Sequence, residues 1–482
     1  MKIVFFLRHP GYTRNFESTL ALLAERGHHV HVAFDTRRKI DAAAPDQVER
    51  LGRESEGRIT HEFLPPFPKT FMTRAATGIR LFYDYLRYLE PEYTQAVALR
   101  QRAARQLPRP AVMVANPLRH SHRGRRGARV LLRHLMQALP VPGHVPEILR
   151  RHRPDAVLVS PLIGLGSAQA EYVAAARRLG IPSCLCVASW DNLTNKGLLK
   201  QVPDLVTVWN EAQRREAIEM HDVPPDRVVA TGAQAYDHWF DWRPSTTREE
   251  FCNRLGVRPD RPILLYLGSS GFIAPNEASF VDEWIRRIRS SDDSLLREAG
   301  VIVRPHPHNV PKWPDGRPLD LSSVENAVIW PAAGANPTNE RLKSDYFDSI
   351  HHAAIVVGIN TSALIESAIV GRRVFTLLAP EFHGTQEGTL HFHYLVRLGG
   401  GMLVAARTYE EHIGQLAAAI RSETRSDVRR GFLEEFIRPH GLDEPGTPRL
   451  VAAIESLVRP SDGGLRESVA LSGSATIGQP TD

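Results

Sequence analysis

Three short polar segments follow apolar runs in the second half of the chain, and together they carry residue types that bind phosphate. Gly268-Ser269-Ser270 follows one such run, and backbone N–H groups in a loop of this kind can hold phosphate oxygens. In Arg304-Pro305-His306-Pro307 the two prolines stiffen the segment and keep His306 in a fixed place. Asn360-Thr361-Ser362 adds hydroxyl groups at the start of a predicted helix. Together these segments would neutralise a diphosphate leaving group without a metal ion.

The third segment has the most informative pattern. A β-branched run ends at Asn360, Thr361 or Ser362 then occupies the expected N-cap of a helix, and Gly371 supplies a left-handed stop. Such a helix start, at the carboxyl end of a parallel strand, presents N–H groups and partial positive charge to an anion. Glu366, one turn further on, could reach a ribose hydroxyl beside that phosphate. Many capped helices bind nothing, so the pattern gains weight only beside the other two segments.

A dense polar segment, residues 189–197, follows an apolar run in the first half of the chain. Its structural interpretation is an Asx-turn loop, in which Asp191 and Asn192 bond nearby backbone. Its functional interpretation is an acceptor site, in which Asp191 acts as general base for an acceptor hydroxyl. Asn192 and Lys196, with Gly11 in the turn after the first predicted strand, are then candidates for binding the acceptor. Both interpretations stay open at the level of sequence.

A second polar segment, residues 381–393, should line the same cleft because it follows a predicted strand of the second half. Its Thr385, Gln386 and Glu387 could bind the hydroxyls of a donor sugar or of glycerol. Its three histidines invite a metal site, but their spacing fits no familiar metal signature. We therefore predict no metal.

The elements that position these segments alternate between strand and helix along both halves. Strands are predicted at Lys2–Leu7 and His29–Phe34 with a helix between them, a βαβ unit, and the pattern restarts at Pro262. This predicts an α/β protein of two Rossmann-like parallel-sheet domains that face each other across a cleft. The predicted ranges are 1–240 for the acceptor-side domain, with a basic helical insertion at about 93–146, 241–260 for a linker, 261–459 for the donor-binding domain and 460–482 for a disordered tail.

Composition sets the broad class. The chain has 482 residues, 42% of them hydrophobic and 24% charged, a net charge of +6 and three cysteines. Cys184 and Cys186 lie in an apolar run and are predicted to be small buried hydrophobes, which fits a reducing compartment. The N-terminal apolar run is too short for a signal peptide, and no run approaches the length of a membrane span. We expect a cytoplasmic protein.

The predicted insertion is strongly basic. Between Tyr93 and Pro146 there are ten arginines and no carboxylate, and six of the arginines lie between Arg119 and Arg133. The segment is either a solvated helical face or a surface that docks on an anionic membrane or a polyanionic acceptor. Docking would place the protein peripherally at the inner face of a membrane. Nucleic acid is not expected, because no recognition motif or aromatic platform accompanies the arginines.

The order of these segments resembles the two-domain GT-B glycosyltransferases over roughly residues 1 to 440, and especially CDP-glycerol glycerophosphotransferase-like and capsule polysaccharide transferases. Residues 228–237 resemble the end of the first domain in that superfamily, including the UDP-GlcNAc 2-epimerases. Arg304-Pro305-His306-Pro307 resembles the segment whose histidine contacts donor phosphates. Thr361, Ser362 and Glu366 resemble the positions that hold the distal phosphate and the ribose. The resemblance implies a nucleotide-activated donor as substrate and no separate cofactor.

We therefore favour an enzyme that transfers a glycosyl or glycerophosphoryl group from a nucleotide-activated donor. The acceptor would be a surface polysaccharide, a lipid-linked molecule or a small molecule. His306 would stabilise the leaving group and Asp191 would remove the acceptor proton. The alternatives are a nucleotide-sugar epimerase or hydrolase of the same fold, and a non-catalytic binding protein, because fold alone licenses no chemistry.

Overall fold

The computed structural model describes residues 1–35, 44–307, 309–313, 316–332, 334, 337, 339–422 and 428–458. Its first half is built on a seven-stranded parallel sheet with the strand order β3-β2-β1-β4-β5-β6-β7. The strands are β1 Lys2–Leu7, β2 His29–Phe34, β3 Ile59–Phe63, β4 Ala156–Ser160, β5 Ser183–Cys186, β6 Leu205–Val208 and β7 Val228–Ala230. The inner strands are buried along almost their whole length, as a parallel sheet covered on both faces requires.

The second half is built on a six-stranded parallel sheet with the strand order β10-β9-β8-β11-β12-β13. The strands are β8 Ile263–Leu267, β9 Gly300–Arg304, β10 Ala327–Ile329, β11 Ile355–Gly358, β12 Arg373–Leu377 and β13 Leu403–Ala406. Two parallel sheets of this kind confirm the predicted fold class of two Rossmann-like domains.

Helices cover both faces of the first sheet and also form a large addition between β3 and β4. They are α1 Glu17–Glu25, α2 Ala44–Glu54, α3 Phe71–Arg87, α4 Val97–Ala104, α5 Arg109–Ala115, α6 His122–Ala138, α7 His144–His152, α8 Ala170–Arg178, α9 Asn192–Asn195, α10 Glu211–His221 and α11 Asp237–Asp241. The helical addition begins at Phe71, well before the predicted start near residue 93. Cys184 and Cys186 are buried in the sheet core, as predicted.

The helices of the second half follow the same layered arrangement. They are α12 Arg248–Leu255, α13 Glu277–Arg289, α14 Ser294–Arg297, α15 Glu340–His352, α16 Ala363–Ile369, α17 Phe392–Arg397, α18 Tyr409–Arg421, α19 Val428–Phe432 and α20 Gly446–Ser456. A π-helix, Leu433–Ile437, directly follows α19.

The predicted linker, residues 241–260, contains the helix α12. A capping box between Thr247 and Glu250 starts this helix, and Gly256, with a φ of +70°, ends it. Phe251 and Cys252 are fully buried in the core of the second sheet. The connection between the domains is therefore shorter than the sequence predicts, and most of the proposed linker belongs to the second domain.

The last helix, α20, packs on the first domain although it follows the second domain in sequence. Leu450, Val451 and Ile454 are buried in one cluster with core residues of β1 and α1. Asp237 fastens the start of α20, since it accepts hydrogen bonds from the backbone N–H groups of Gly446 at 2.9 Å and Thr447 at 2.7 Å. The predicted second-domain range, 261–459, therefore includes a helix of the first domain's core. The predicted tail, 460–482, lies outside the described residues.

Within the described ranges, no helix is both long enough and apolar enough to cross a bilayer.

Candidate active site between the two sheets

Each sheet has a switch point, where neighbouring strands lead to connections on opposite sides, and open α/β sheets bind ligands there. In the first sheet the switch lies between β1 and β4, and in the second between β8 and β11. The segments that follow β8 and β11 are those of Ser269 and Asn360. The sequence therefore places two of the three phosphate-type segments at the expected position.

The side chains of these segments, however, bond mainly to one another. Ser269 is fully buried; its backbone N–H donates to Glu277 at 2.8 Å, and its hydroxyl accepts from the backbone N–H of Asn360 at 3.3 Å. The amide of Asn360 is buried and donates to the carbonyl of Thr385 at 2.9 Å. Both side chains hold loops together in this structure. Ser270 remains half-exposed beside them.

Thr385 and Gln386, predicted to bind donor hydroxyls, are also structural. The Thr385 hydroxyl donates to the carbonyl of Ile273 at 2.7 Å. Gln386 has no exposed surface, and its Nε2 lies 3.0 Å from the Ile359 carbonyl and 2.9 Å from Thr376 Oγ1. We call Ser269, Asn360, Thr385 and Gln386 the buried polar lattice.

Glu387, the third predicted donor contact in that segment, lies in a surface ion pair. Arg407 donates to its Oε1 at 2.9 Å, and His383 Nδ1 is 3.5 Å from its Oε2. The hydrogen bond from Arg407 is the main reason that the pKa of Glu387 is lowered. Its carboxylate is thus occupied by neighbours rather than turned to a donor.

Gly268 has a steric role. A Cβ atom at this position would lie 2.8 Å from the backbone N of His306, closer than real Cβ atoms come to backbone. The backbone N–H of Gly268 also donates to the Arg304 carbonyl at 2.9 Å. The absence of a side chain therefore lets the loops after β8 and β9 meet. This contact brings the half-exposed His306 to the same edge of the sheet as Ser270.

Arg304 is largely buried and bonded to other side chains. Its Nη1 donates to Asp345 at 3.0 Å and to the Ser349 hydroxyl at 2.9 Å, and its guanidinium lies 5.0 Å from the centre of the Tyr346 ring. An arginine held in this way positions Tyr346. The phosphate role of Arg304 stays a prediction, and the contacts in this structure are with Asp345, Ser349 and Tyr346.

The start of α16, which the sequence predicts to bind phosphate, keeps an exposed polar side chain. Ser362 occupies the N-cap and is exposed, but its side chain makes no capping hydrogen bond, and Thr361 Oγ1 lies 3.4 Å from the backbone N of Ala363. Gly371 follows the helix with a φ of +89°, which confirms the predicted stop. The Ser362 hydroxyl remains available to a ligand.

Glu366, one turn into α16, lies between the two domains. It accepts a hydrogen bond from Tyr346. Burial raises its pKa, opposed by that bond and by the charge of Arg14, a first-domain residue just after β1. Arg14 was missed from sequence, because its only signal was a position in the turn that also contains Gly11. Gly11 lies in the same 3₁₀ helix, Pro10–Asn15.

The Asp191 segment also meets the second domain, but through His391 rather than His306. The ring centres of Trp190 and His391 are 4.7 Å apart, and Thr194 Oγ1 is 3.5 Å from His391 Nδ1. Asp191 is bound by Lys196 at 3.0 Å and by the Ser189 hydroxyl at 2.8 Å. His391 thus makes the contacts across the cleft, although its sequence position suggested only a possible metal ligand.

These contacts change the acid–base character of Asp191. Burial by itself would raise its pKa, but the charges of Lys196 and His391 and the bonds from Lys196 and Ser189 outweigh burial and hold the pKa well below its ordinary range. A carboxylate so stabilised is a weak general base, because proton transfer is most efficient when the pKa lies near the working pH. Asn192 is buried, and its side chain donates to the Asp191 carboxylate at 3.3 Å.

Asp35, directly after β2, has a pKa near neutrality, unlike Asp191. Burial raises its pKa to about 7, although a 2.5 Å hydrogen bond from the Tyr172 hydroxyl and the charge of Arg8 both act to lower it. It lies at the carboxyl edge of the first sheet, beside the β1–β4 switch point. No sequence motif marks it, since Tyr172 is distant in the chain and burial is not visible in a single sequence.

The helical addition packs against the Asp191 segment and bonds to its backbone. Asp84 of α3 accepts from the backbone N–H of Leu198 at 2.7 Å and pairs with Lys200 at 2.8 Å, both buried. Arg87 donates to the carbonyl of Gly197 at 3.0 Å, and Arg102 to that of Asn195 at 2.6 Å. The addition therefore fixes the position of the predicted acceptor loop.

Among the described residues, one group has the geometry of metal ligands: His31, Glu62 and His152, on the face of the first sheet. The Glu62 carboxylate already accepts bonds from Arg151, at 2.5 and 2.6 Å. In this cluster the positive charge beside Glu62 is thus supplied by Arg151.

Comparison with known proteins supports the fold. No protein-family profile matches the chain, and no curated protein sequence matches it. The structure of a putative UDP-N-acetylglucosamine 2-epimerase from Listeria monocytogenes is similar, with a TM-score of 0.53, 11% identity and coverage of 94% of this chain and 96% of that one. A glycosyltransferase from Rickettsia africae ESF-5 has a TM-score of 0.52, 9% identity and coverages of 95% and 98%.

S. aureus MnaA, in a co-structure with UDP, has a TM-score of 0.52, 11% identity and coverages of 96% and 100%. At such identities the similarity establishes the fold alone. The chain has the two-domain GT-B fold, and its structural neighbours are enzymes of two kinds, glycosyltransferases and UDP-GlcNAc 2-epimerases.

Proposed function

We propose that the protein transfers a glycosyl or glycerophosphoryl group from a nucleotide-activated donor bound between the two domains. The observation that carries the proposal is the meeting of charged and polar groups of both domains at the edge where both sheets have their switch points. Arg14 acts on Glu366, and the Asp191 segment contacts His391. A cleft with this composition suits a polar, negatively charged donor.

The donor would bind to the second domain. The N-terminus of α16 and the Ser362 hydroxyl would contact the phosphates, together with the half-exposed His306 and Ser270. Glu366 would bind the ribose, after exchanging its bond with Tyr346 for one with the sugar hydroxyl. The buried polar lattice would hold these loops at a fixed spacing, so that little reorganisation is needed when charge develops on the leaving nucleotide.

The acceptor would bind to the first domain, beside Lys196 and the loops after β1 and β2. Asp35 would remove the acceptor proton, since its pKa of about 7 matches that task better than the depressed pKa of Asp191. The acceptor oxygen would then bond to the transferred group as the bond to the nucleotide breaks. Asp191 would keep Lys196 in place beside the acceptor.

A second candidate is epimerisation or hydrolysis of a nucleotide sugar on the same fold. It is favoured by the similarity to the structure of the putative UDP-N-acetylglucosamine 2-epimerase from Listeria monocytogenes. The two candidates differ in one measurable property: transfer requires an acceptor, whereas the other reactions consume the donor alone. A protein that binds nucleotide with no turnover of any donor would support a non-catalytic role.

The first experiment is a thermal-shift panel of UDP-, GDP-, CDP- and dTDP-linked donors, because saturating ligand raises the stability of the native state. UDP-linked donors come first because MnaA was solved with UDP. Turnover of the stabilising donor is then measured with and without acceptor preparations.

Ser362→Ala tests the phosphate site. It should weaken nucleotide binding by about 1–2 kcal/mol, the contribution of one hydrogen bond to a charged group, measured by titration calorimetry. Because Ser362 makes no capping bond, the melting temperature should hardly change. Ser290→Ala, at an exposed serine of the same domain, is the matched control. Unchanged nucleotide affinity in the Ser362 variant would place the phosphates elsewhere.

A further inference from the structure

Exposed apolar side chains are concentrated in the helical addition of the first domain. Of the ten large hydrophobic residues exposed in the described part of the chain, eight lie between Phe71 and Leu135. They include Phe71 at 83% exposure, Met113 at 72% and Leu131 at 60%. Scattered apolar residues on a surface are ordinary, but a concentration of this kind marks a surface that contacts another partner.

Helix α6 shows how the concentration arises, because its arginines point inward. Arg125 is buried and donates to Glu90 at 2.8 Å, and Arg129 and Arg133 bind Asp222 at 3.0 and 2.5 Å. Three arginines spaced four residues apart thus face the protein and find carboxylates outside the acid-free stretch. Half of the basic cluster between Arg119 and Arg133 is already neutralised.

The opposite face of α6 carries apolar residues instead. Val130, Leu131 and Leu135 are 47%, 60% and 45% exposed and recur at helical spacing. Arg126 and Arg123 are also exposed, about one and two turns nearer the helix start than Val130. Three arginines of the helix thus face the protein, whereas Val130, Leu131 and Leu135 face outward. Exposed apolar residues concentrated in this way are typical of a surface that contacts a partner.

The neighbouring helices extend this face at both ends. Arg133 donates to Tyr83 at 2.9 Å, whereas Arg125 reaches Glu90 beyond the end of α3, so α3 and α6 run antiparallel. The start of α3, with Phe71 and Met72, therefore lies beside the end of α6.

At the other end of α6, Arg125 donates to the Leu118 and Arg119 carbonyls, which holds the segment after α5 against the helix start. Met113 and Val114 of α5 are 72% and 70% exposed there, and Arg119 is exposed with them. We call the exposed residues 71, 72, 113, 114, 119, 123, 126, 130, 131 and 135 the apolar-basic face.

We propose that the apolar-basic face docks on the surface of an anionic lipid bilayer. Apolar side chains that penetrate the headgroup region, flanked by arginines that attract anionic headgroups, are the composition of a helix lying in the interface plane. The acid-free stretch from residue 94 to 146 leaves no carboxylate of its own to oppose the approach. A water-soluble polyanion would use the arginines and leave the apolar residues uncovered.

Docking would also place the acceptor loop near the bilayer. Phe71 and Asp84 lie on the same helix, 13 residues apart, which is about 20 Å at 1.5 Å per residue. Asp84 bonds directly to the backbone beside Lys196. The proposal concerns binding only and does not rest on the transfer reaction, so it can fail or succeed independently of the proposed function.

The test is co-sedimentation of the full chain with phosphatidylcholine vesicles, with and without phosphatidylglycerol. Binding should require phosphatidylglycerol and weaken with salt. Changing Arg119, Arg123 and Arg126 to Gln should lower the partition coefficient on the order of 100-fold, given the typical contribution of each arginine at such a surface. Changing Arg286, Arg287 and Arg430 to Gln, three exposed arginines of the second domain, removes the same charge and should leave binding nearly unchanged.

The apolar residues are tested separately. Changing Val130, Leu131 and Leu135 to Ser should lower binding at least about tenfold, since apolar area would be lost from the bilayer interface. The native cysteines are buried, so an environment-sensitive dye can be placed selectively on Leu131→Cys. Its emission should shift to the blue with phosphatidylglycerol vesicles, whereas dye on Leu295→Cys, an exposed site of the second domain, should not respond.

Absence of wild-type binding at low salt would overturn the proposal. So would a serine variant that binds like wild type while the arginine variant does not, because the surface would then recognise charge alone, as for a soluble polyanion.

Discussion

The loops of the second sheet and those of the first use their polar side chains in opposite ways. In the second domain the buried polar lattice is uncharged, lies under the loops and bonds to backbone of neighbouring segments. In the first domain Asp35, Asp191 and Lys196 are ionisable and lie at the cleft edge. Polar residues at strand ends therefore fall into two groups: those that hold the loops in position and those that we propose to contact a ligand.

Asp35→Asn should have the largest effect on the rate, because it removes the proposed general base of the first domain. Loss of a general base typically lowers kcat by about 10²–10⁴, while donor binding should be retained. The wild-type rate should increase as pH rises through about 7, where Asp35 loses its proton, and the variant should lack this limb. Asp226→Asn, a surface change near α10, serves as the control. An unchanged pH profile in Asp35→Asn would exclude this residue as the base.

Gln386→Leu should show the reverse behaviour, a loss of stability rather than of chemistry. Replacing this buried amide by an apolar side chain removes one hydrogen bond from the Ile359 carbonyl and one from the Thr376 hydroxyl, which costs about 2–3 kcal/mol in the free energy of unfolding. Urea titration would measure the loss, and the neighbouring surface change Glu387→Gln should cost less than about 0.5 kcal/mol. If Gln386→Leu were as stable as wild type but no longer bound nucleotide, the lattice would be part of the ligand site.

Two carboxyl groups should give opposite pH dependences of stability, one in each domain. Burial raises the pKa of Glu277 to about 8, so the native state holds a proton that the unfolded chain loses near pH 4. Its stabilising effect is therefore lost as pH rises from about 4 to 8, at no more than about 1.4 kcal/mol per pH unit.

Asp191 has a lowered pKa, and its contribution is present above the unfolded value and disappears as pH falls below about 4. Relative to wild type, Glu277→Gln should thus become more stable as the pH rises toward 8. The free energy of unfolding of Asp191→Asn should fall less than that of wild type when the pH is lowered below about 4. Denaturant titrations from pH 3 to about 9 would show both trends. Parallel curves for the two variants would contradict the assigned environments.

The two sheets could be predicted well from the sequence, because apolar runs indicate buried strands and a glycine after a helix indicates where that helix ends. The predicted strands Lys2–Leu7 and His29–Phe34 have the observed bounds, and Gly371 ends its helix as expected. Side-chain direction in the loops could not be predicted in the same way. Gln386 and Arg304 have residue types suited to ligands, but their partners lie on strands and helices that only the fold brings near. The inward arginines of α6 were missed for the same reason, since Glu90 and Asp222 lie outside the basic stretch.

The return of α20 to the first domain determines how the cleft can open. The chain crosses between the domains twice, once after Asp237 and once before Gly446, and Asp237 bonds directly to the start of α20. Two crossings fastened side by side should restrict the relative motion of the two domains more than a single connection would. The cleft should therefore widen at the edge remote from Asp237, and ligands would enter and leave from that side.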